Sequence, residues 1–446
     1  MPGTELELTV ERLVNGPGAL AHAPDGRVVF LDEGLPGERV RVAAVEERRD
    51  FVRARVVRAL GPPAPGRRAP PCPVVALCGG CPWQKLTYAE QVREKEALVL
   101  REVERGAGAR PDQVLPPVFG PELRFRHRIR LAVGRAENGS PVVGYRFRGS
   151  RGIVPIDDCP IARLEIAAAL PLARRLAELE SAVREVELSV DDRAGLRLRG
   201  VCRPERPRSA GAVWDPVRAC AADLDLAGAG LVGLVLEARD RRGGWRSEAG
   251  DVLQRIEVQP GCVIGVPVGT FTQVNGSLNR ELVSAVVEAA GARPERRIID
   301  LYCGAGNFTL PLARAGAQVL GIDVDEHAVA AARDSAAALG LAARATFRAG
   351  AADDRALAGE VDVVVLDPPR AGAVAVLPAV LARRPERIVY VSCDVATFAR
   401  DARQILAAGG RFASLRLVDL TPQTHRAEVL GVFQLTWERG GPYRDA

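Results

Sequence analysis

The chain is poor in lysine, aromatic residues and long apolar runs. Of its 61 Lys and Arg residues, only Lys85 and Lys95 are lysines. No apolar run approaches the length needed to span a bilayer as a helix, which argues against a membrane-spanning chain. The opening Met1-Pro2-Gly3-Thr4-Glu5-Leu6-Glu7 has neither the basic region nor the apolar core of a secretory signal, so a cytoplasmic protein is expected. The net charge is only +5, which does not by itself point to a nucleic-acid partner. The arginine excess matches a GC-rich coding sequence. It also suits RNA, because a guanidinium binds phosphate through two hydrogen bonds and stacks on bases.

With 446 residues the chain is long enough for two or three domains. Residues 1–61 predict a small OB-like β-barrel. Leu6–Val10, Arg27–Leu31, Glu38–Val42 and Phe51–Val57 are short strand candidates separated by Gly and Pro turns. Such barrels often bind RNA, although no stacking aromatic is obvious in this one. Residues 61–71 form a Pro-rich linker. Residues 62–265 predict a mixed α+β central domain, with an amphipathic helix over 88–109 that can pack on the catalytic domain and another near 161–184. From 266 to 446 the pattern becomes βαβ, with strands expected at 297–301, 317–322, 344–348, 361–366, 387–392, 412–418 and 428–437. That alternation predicts an α/β doubly wound sheet, Rossmann-like, with its last strand antiparallel.

Three motifs in this half carry chemistry. Asp300-Leu-Tyr-Cys-Gly304-Ala-Gly306 follows an apolar strand and opens a helix. Glycines there let the backbone approach a ligand, and Asp323 ends the next strand where a ribose-binding carboxylate is expected. Thr309 occupies the third glycine position of a dinucleotide fingerprint, so S-adenosylmethionine, which has a ribose but no pyrophosphate, fits better. Asp367-Pro368-Pro369-Arg370 closes a later strand, and Ser392-Cys393-Asp394 closes the one after it. A thiolate adding to C6 of a pyrimidine makes C5 nucleophilic enough to take a methyl group; a base must then remove the C5 proton. Glu428, at the mouth of the final hairpin, is the candidate base. Without the cysteine step, Asp367-Pro368-Pro369 would suit an amine N-methyltransferase instead. A non-enzymatic RNA-binding protein is a further alternative.

The motifs Phe271-Thr272-Gln273-Val274-Asn275, Asp300–Leu310, Asp367–Arg370, Ser392-Cys393-Asp394 and Thr421-Pro422-x-Thr424…Glu428 resemble, in order, those of the RNA 5-methyluridine methyltransferases of the TrmA/RumA type. The N-terminal barrel resembles the TRAM domain of RumA-like members. The resemblance implies a class I methyltransferase domain with Cys393 as nucleophile and Glu428 as general base. It implies S-adenosyl-L-methionine contacts from Gln273, Tyr302, Asn307, Asp323 and Asp367. The chain departs from the family in three places. Val395 stands where Pro is usual, Arg426 stands where His is usual with His425 one place earlier, and Ala349-Gly350-Ala351 offers no polar cofactor contact.

Nine cysteines is an odd number, and three fall between Cys72 and Cys81. Cys72-x5-Cys78-Gly-Gly-Cys81, with Cys159 as a remote fourth thiol, suits zinc or an iron–sulfur cubane equally. The family resemblance implies [4Fe-4S]. Cys202, Cys220, Cys262 and Cys303 are expected to be ordinary buried residues. The Arg-rich runs 124–130 and 146–151 are expected to contact RNA. Ribosomal RNA of the large subunit is the favoured substrate, with transfer RNA as the alternative, and a monomer is expected.

Overall fold

The structure is a computed structural model; it describes residues 5–203, 220, 223–224, 230–240, 243–352, 357 and 359–437. At the N-terminus, six strands from Glu5–Thr9 to Phe51–Ala59 form one curled sheet. Its inward positions alternate along Arg39–Glu47, where Val40 and Val42 are buried, as period-two patterning requires. Two of the strands, Arg12–Leu13 and Ala19–His22, were not foreseen.

The central part holds a seven-stranded sheet running in space from Ile153–Pro155 to Gly243–Gly250. The helix expected near 161–184 is two shorter ones, Leu164–Ala168 and Leu170–Leu179. They pack into the core beneath Val186, Leu188 and Leu198.

The catalytic sheet has eight strands. In space they run Ala345–Ala349, Gln318–Asp323, Arg297–Leu301, Val363–Leu366, Arg387–Ser392, Glu428–Leu435, Gly410–Val418 and Gln113–Val118. Glu428–Leu435 is antiparallel to both its neighbours, as expected of the last strand. The central parallel strands are largely apolar because both faces are covered, with Asp300 a buried acid among them. Ile298, Val319, Val363, Val365, Val389 and Val391 face one core. Ile299, Leu301, Ile322, Val364, Leu366, Ile388 and Tyr390 face the other.

Helix Gly276–Ala290, capped by the Asn275 side chain, covers the first face. Helices Tyr88–Ala107 and Val395–Ala407 pack together over the second. Thus the 88–109 helix lies on the catalytic sheet, and Gln113–Val118 joins its edge. The Leu253–Gln259/Cys262–Pro267 hairpin, which the sequence reading assigned to the central domain, also shares the first core through Ile256, Val258, Ile264 and Val266. Among the described residues, no helix is long and apolar enough to cross a membrane.

Candidate active site

The order of strands reverses on either side of Arg297–Leu301, and open α/β sheets bind ligands at the carboxyl ends beside such a point. The turn leaving that strand is tightly pinned. Tyr302 and Cys303 both donate backbone N–H bonds to the Ile322 carbonyl, at 2.9 and 3.2 Å. Gly304 donates to Asp323 Oδ2 at 2.8 Å. Gly304 and Gly306 have φ of 52° and 91°, a region where glycine is unstrained. Tyr302 adopts φ 65°, which is strained for a bulky residue and of the kind that clusters at functional sites.

Asp323 ends the adjacent strand, and its other oxygen accepts from Asp325 N–H at 2.8 Å. Asn307 exchanges two amide hydrogen bonds with Asn279, at 2.8 and 3.1 Å. Asn279 was missed in the sequence; its only signal was its position one helical turn after Asn275. Thr309 is not a glycine here for a visible reason. Its hydroxyl donates to the buried Asp300 carboxylate at 2.5 Å. Burial, and then the charge of Asp323, pushes the Asp300 carboxyl up to about 7.

Asp367, Cys393 and Glu428 converge one, two and three strands away. Parallel pairing sets Leu366 beside Tyr390, and antiparallel pairing sets Ser392 beside Val429. One further step along that register brings Cys393 next to Glu428. Burial raises all three acids. The Asp367 carboxyl is pushed up to about 7 by burial and by the charge of Asp300, opposed by a hydrogen bond from Gln273. The Cys393 thiol is pushed up to about 11 by burial, then by Glu428 and Asp367, with Arg370 pulling it down. Glu428 is held well above the ordinary carboxylate range by burial and by Asp367. The Cys393 thiol and the Glu428 carboxyl thus lie side by side at the ends of adjacent strands, and Glu428 must be ionised before it can take up a proton.

Asp394 completes the Ser-Cys-Asp motif as a helix cap. Its carboxylate accepts from Ala396 and Thr397 N–H at 3.1 and 3.0 Å, which fixes the chain on either side of Cys393.

The Arg-rich run 124–130 makes several pairings within the protein, while Arg130 stays exposed. Arg124 forms a bidentate pair with Asp158, both bonds at 2.7 Å. Arg128 donates to the Thr270 and Thr272 carbonyls at 2.8 and 3.1 Å, and His127 N–H donates to the Val274 carbonyl at 3.1 Å. Arg130 pairs with Glu187. Arg128 and His127 thus hold the segment that carries Gln273.

The four cysteines of the proposed metal centre gather at one end of the central sheet. Cys78 bridges Phe147, and the Tyr145 hydroxyl lies 3.6 Å from Cys159 Sγ. The charge on Cys159 acts on Cys72, Cys78 and Cys81 in turn. The expectation of a closed metal site is nevertheless not met. Among the described residues, no three His, Cys, Asp or Glu side chains are grouped so as to hold a metal ion.

A family model described as tRNA (Uracil-5-)-methyltransferase matches residues 262–436, and a TRAM-domain model matches residues 1–57. The 23S rRNA (uracil(1939)-C(5))-methyltransferase RlmD of Alkalilimnicola ehrlichii is 34% identical over 447 residues, 97% of each chain. That of Dechloromonas aromatica is 34% identical over 425 residues, 92% of this chain and 95% of the relative. The chain belongs to the RNA uracil-C5 methyltransferase family. The crystal structure of Pyrococcus abyssi tRNA (uracil-54, C5)-methyltransferase with S-adenosyl-L-homocysteine has the same fold, with a TM-score of 0.70 at 22% identity over 96% of this chain and all of that one.

Two departures from the family pattern now have physical readings. Val395 is the first residue of the helix after Cys393. The N–H at that position has no partner within a helix, so the proline usual in the family suits it, while valine is tolerated and buries its side chain. Arg426 points outward, whereas His425 is half-buried with its Nδ1 buried and without a partner among the described residues. At the third departure, Ala349-Gly350-Ala351, Gly350 N–H donates to the Asp323 carbonyl at 2.9 Å, which ties that turn to the end of the neighbouring strand.

Proposed function

We propose that this RNA uracil-C5 methyltransferase methylates a uridine of 23S ribosomal RNA through a covalent bond between Cys393 Sγ and C6 of the base. The observation that carries this reading is the register that sets Cys393 beside Glu428, with Asp367 facing both. The Cys393 thiolate adds to C6 and leaves C5 electron-rich. S-adenosyl-L-methionine, when bound, supplies the methyl group that C5 takes. Glu428 then accepts the C5 proton, the C5–C6 double bond re-forms and the thiolate departs, so the enzyme is regenerated after Glu428 returns its proton to solvent. The uridine must leave its stack to reach the thiol.

Gln273, Tyr302, Asn307, Asp323 and Asp367 fit S-adenosyl-L-methionine. They line the glycine turn and the neighbouring strand ends, where a strained backbone and a terminal carboxylate form a cradle. The ribosomal target is supported by full-length similarity to relatives named for 23S rRNA. Transfer RNA is the other reading, favoured by the fold shared with the Pyrococcus enzyme. The curled N-terminal sheet adds RNA contact: Phe30 and Phe51 meet edge-to-face at 5.8 Å, with the Arg53 guanidinium 5.6 Å from the Phe51 ring. Cytoplasmic, monomeric action on RNA completes the reading.

The test is methyl transfer from labelled S-adenosyl-L-methionine to unmodified ribosomal and transfer RNA, followed by nucleoside analysis. Label in 5-methyluridine of the ribosomal RNA is expected. Label in an N-methylated base would overturn the thiol mechanism, and label in transfer RNA alone would move the target. Arg128→Met should weaken S-adenosyl-L-homocysteine binding by about tenfold, since a displaced Gln273 forfeits one positioned contact of roughly 1.4 kcal/mol. Calorimetric titration of the folded variant checks this.

Cys72, Cys78, Cys81 and Cys159 are assigned to a [4Fe-4S] cluster. Their donor set is all thiol, as such clusters use. The resemblance of the Cys72-x5-Cys78-Gly-Gly-Cys81 spacing, with Cys159 remote, to the RumA-like pattern favours the cubane over zinc. Its role is to hold the RNA-facing segment. Cys78→Ser should lose iron and acid-labile sulfide together and lose methylation of long RNA. A cluster-free variant that folds and methylates normally would refute that role.

A further inference from the structure

Glu428 opens its strand opposite Val418, and the loop before it, 419–427, is anchored from outside that hairpin. Its anchor is Gln423, fully buried and in a left-handed conformation with φ 71°. A non-glycine residue keeps such a backbone only when its surroundings fix it. Gln423 makes six hydrogen bonds, and every one crosses to a distant part of the chain. Its N–H donates to Gln91 Oε1 at 2.8 Å, and its carbonyl accepts from Trp83 N–H at 3.0 Å. Its side-chain oxygen accepts from Gln91 Nε2 at 2.9 Å and from Arg68 Nη2 at 3.2 Å. Its side-chain nitrogen donates to the Glu122 carbonyl at 3.2 Å and to Glu122 Oε2 at 2.9 Å.

The partners lead straight to the cysteine segment. Arg68 Nε donates to the Gln84 carbonyl at 3.1 Å, and Gln84 Oε1 accepts from Cys72 N–H at 3.1 Å. Trp83 and Gln84 lie two and three residues after Cys81 in the chain. One helical turn from Gln91, buried Lys95 grips the same loop, donating to Asp419 Oδ1 at 2.5 Å and to the Thr421 carbonyl at 3.1 Å. Cys393 follows its own central strand and precedes the Asp394 cap, and none of the contacts made by Gln423 reaches that segment.

We infer that Gln423 is a positioning residue for Glu428, joining the Cys72–Gln84 segment to the loop that carries the base. The disposition of the cysteine segment thereby sets the proton-removal step and leaves thiol attack and methyl transfer alone. This rests on the reading of Glu428 as the base.

Gln423→Met keeps side-chain length and removes every side-chain hydrogen bond. The experiment compares wild type, Glu428→Gln and Gln423→Met, measuring S-adenosyl-L-homocysteine binding, single-turnover methyl transfer and the decay of protein–RNA adduct on denaturing gels. Gln423→Met should bind the ligand and transfer methyl at near wild-type rates, while release slows by roughly tenfold to a hundredfold, the effect of a reacting group misplaced by about an ångström. Wild-type release from Gln423→Met, with Glu428→Gln stalled, overturns the inference. Equal slowing of transfer and release also overturns it, because that is what general destabilisation does. No stall in Glu428→Gln faults the base assignment instead. If Gln423→Met does not fold, Arg68→Lys removes the two-pronged pairing with Glu122 at the edge of the hub. A selective slowing of release supports the inference, and unchanged release defeats it.

Discussion

Cys393→Ala is expected to abolish turnover, a loss of at least about 10⁴-fold, or roughly 5.5 kcal/mol of transition-state stabilisation, while S-adenosyl-L-homocysteine binding persists. The separation is physical. The cradle at Tyr302–Gly306 and Asp323 is built from two other strands and pinned by their own hydrogen bonds. Loss of ligand binding would instead make the cysteine a structural residue. The same thiol fixes a pH dependence. Burial and two carboxyl neighbours push it up to about 11, so the neutral thiol dominates near pH 7 and the thiolate grows as pH rises. Where thiol ionisation limits the rate, kcat/KM should climb with pH between about 7 and 9, by up to tenfold per unit. A flat profile would mean that RNA binding itself deprotonates Cys393. Arg370→Met should steepen the demand for alkali, because Arg370 is the cation that opposes the rise.

Glu428→Gln is expected to transfer its methyl group once and then stall with RNA covalently attached. The amide fills the same buried site at the start of its strand but cannot accept a proton. Loss of a positioned general base slows its step by about 10² to 10⁴-fold. A slow-migrating protein–RNA band on a denaturing gel, containing label from the methyl donor, is the expected readout. Prompt release of 5-methyluridine product would assign the proton to another group.

The central parallel strands of the catalytic sheet were legible because they are buried on both faces and so read as largely apolar runs. Gln113–Val118 was not. It carries Pro116 and Pro117 with no alternation, a pattern that only an edge strand tolerates. The site residues at strand ends were readable from local motifs, since Cys393, Asp367 and Asp323 each follow a recognisable strand. Their supports were not, because they come from far along the chain. The arginines of the 124–130 run were visible as a run, yet the carbonyls of Thr270 and Thr272 that engage Arg128 lie 142 and 144 residues away. Phe30 and Phe51 likewise look unremarkable until their strands pair and place Arg53 over the rings. Spacing revealed four candidate thiol ligands, while their distances from one another depend on how the 141–155 hairpin meets the linker.

The helix Tyr88–Ala107 and the strand Gln113–Val118 belong by sequence to the region before the catalytic half, but by contact to the catalytic sheet itself. The methyltransferase half is therefore not an excisable module. Cutting the chain at residue 266 would strip Val92, Val99, Val103 and Ala107 from the core around Phe398, Phe412 and Phe433, and would bare the edge of Gly410–Val418. Such a fragment would present a wide apolar face and an open strand to its copies, and self-association would compete with folding. Additions to this enzyme that keep the fold belong at surface turns; the boundary between its halves is a seam that two covalently distant pieces close together.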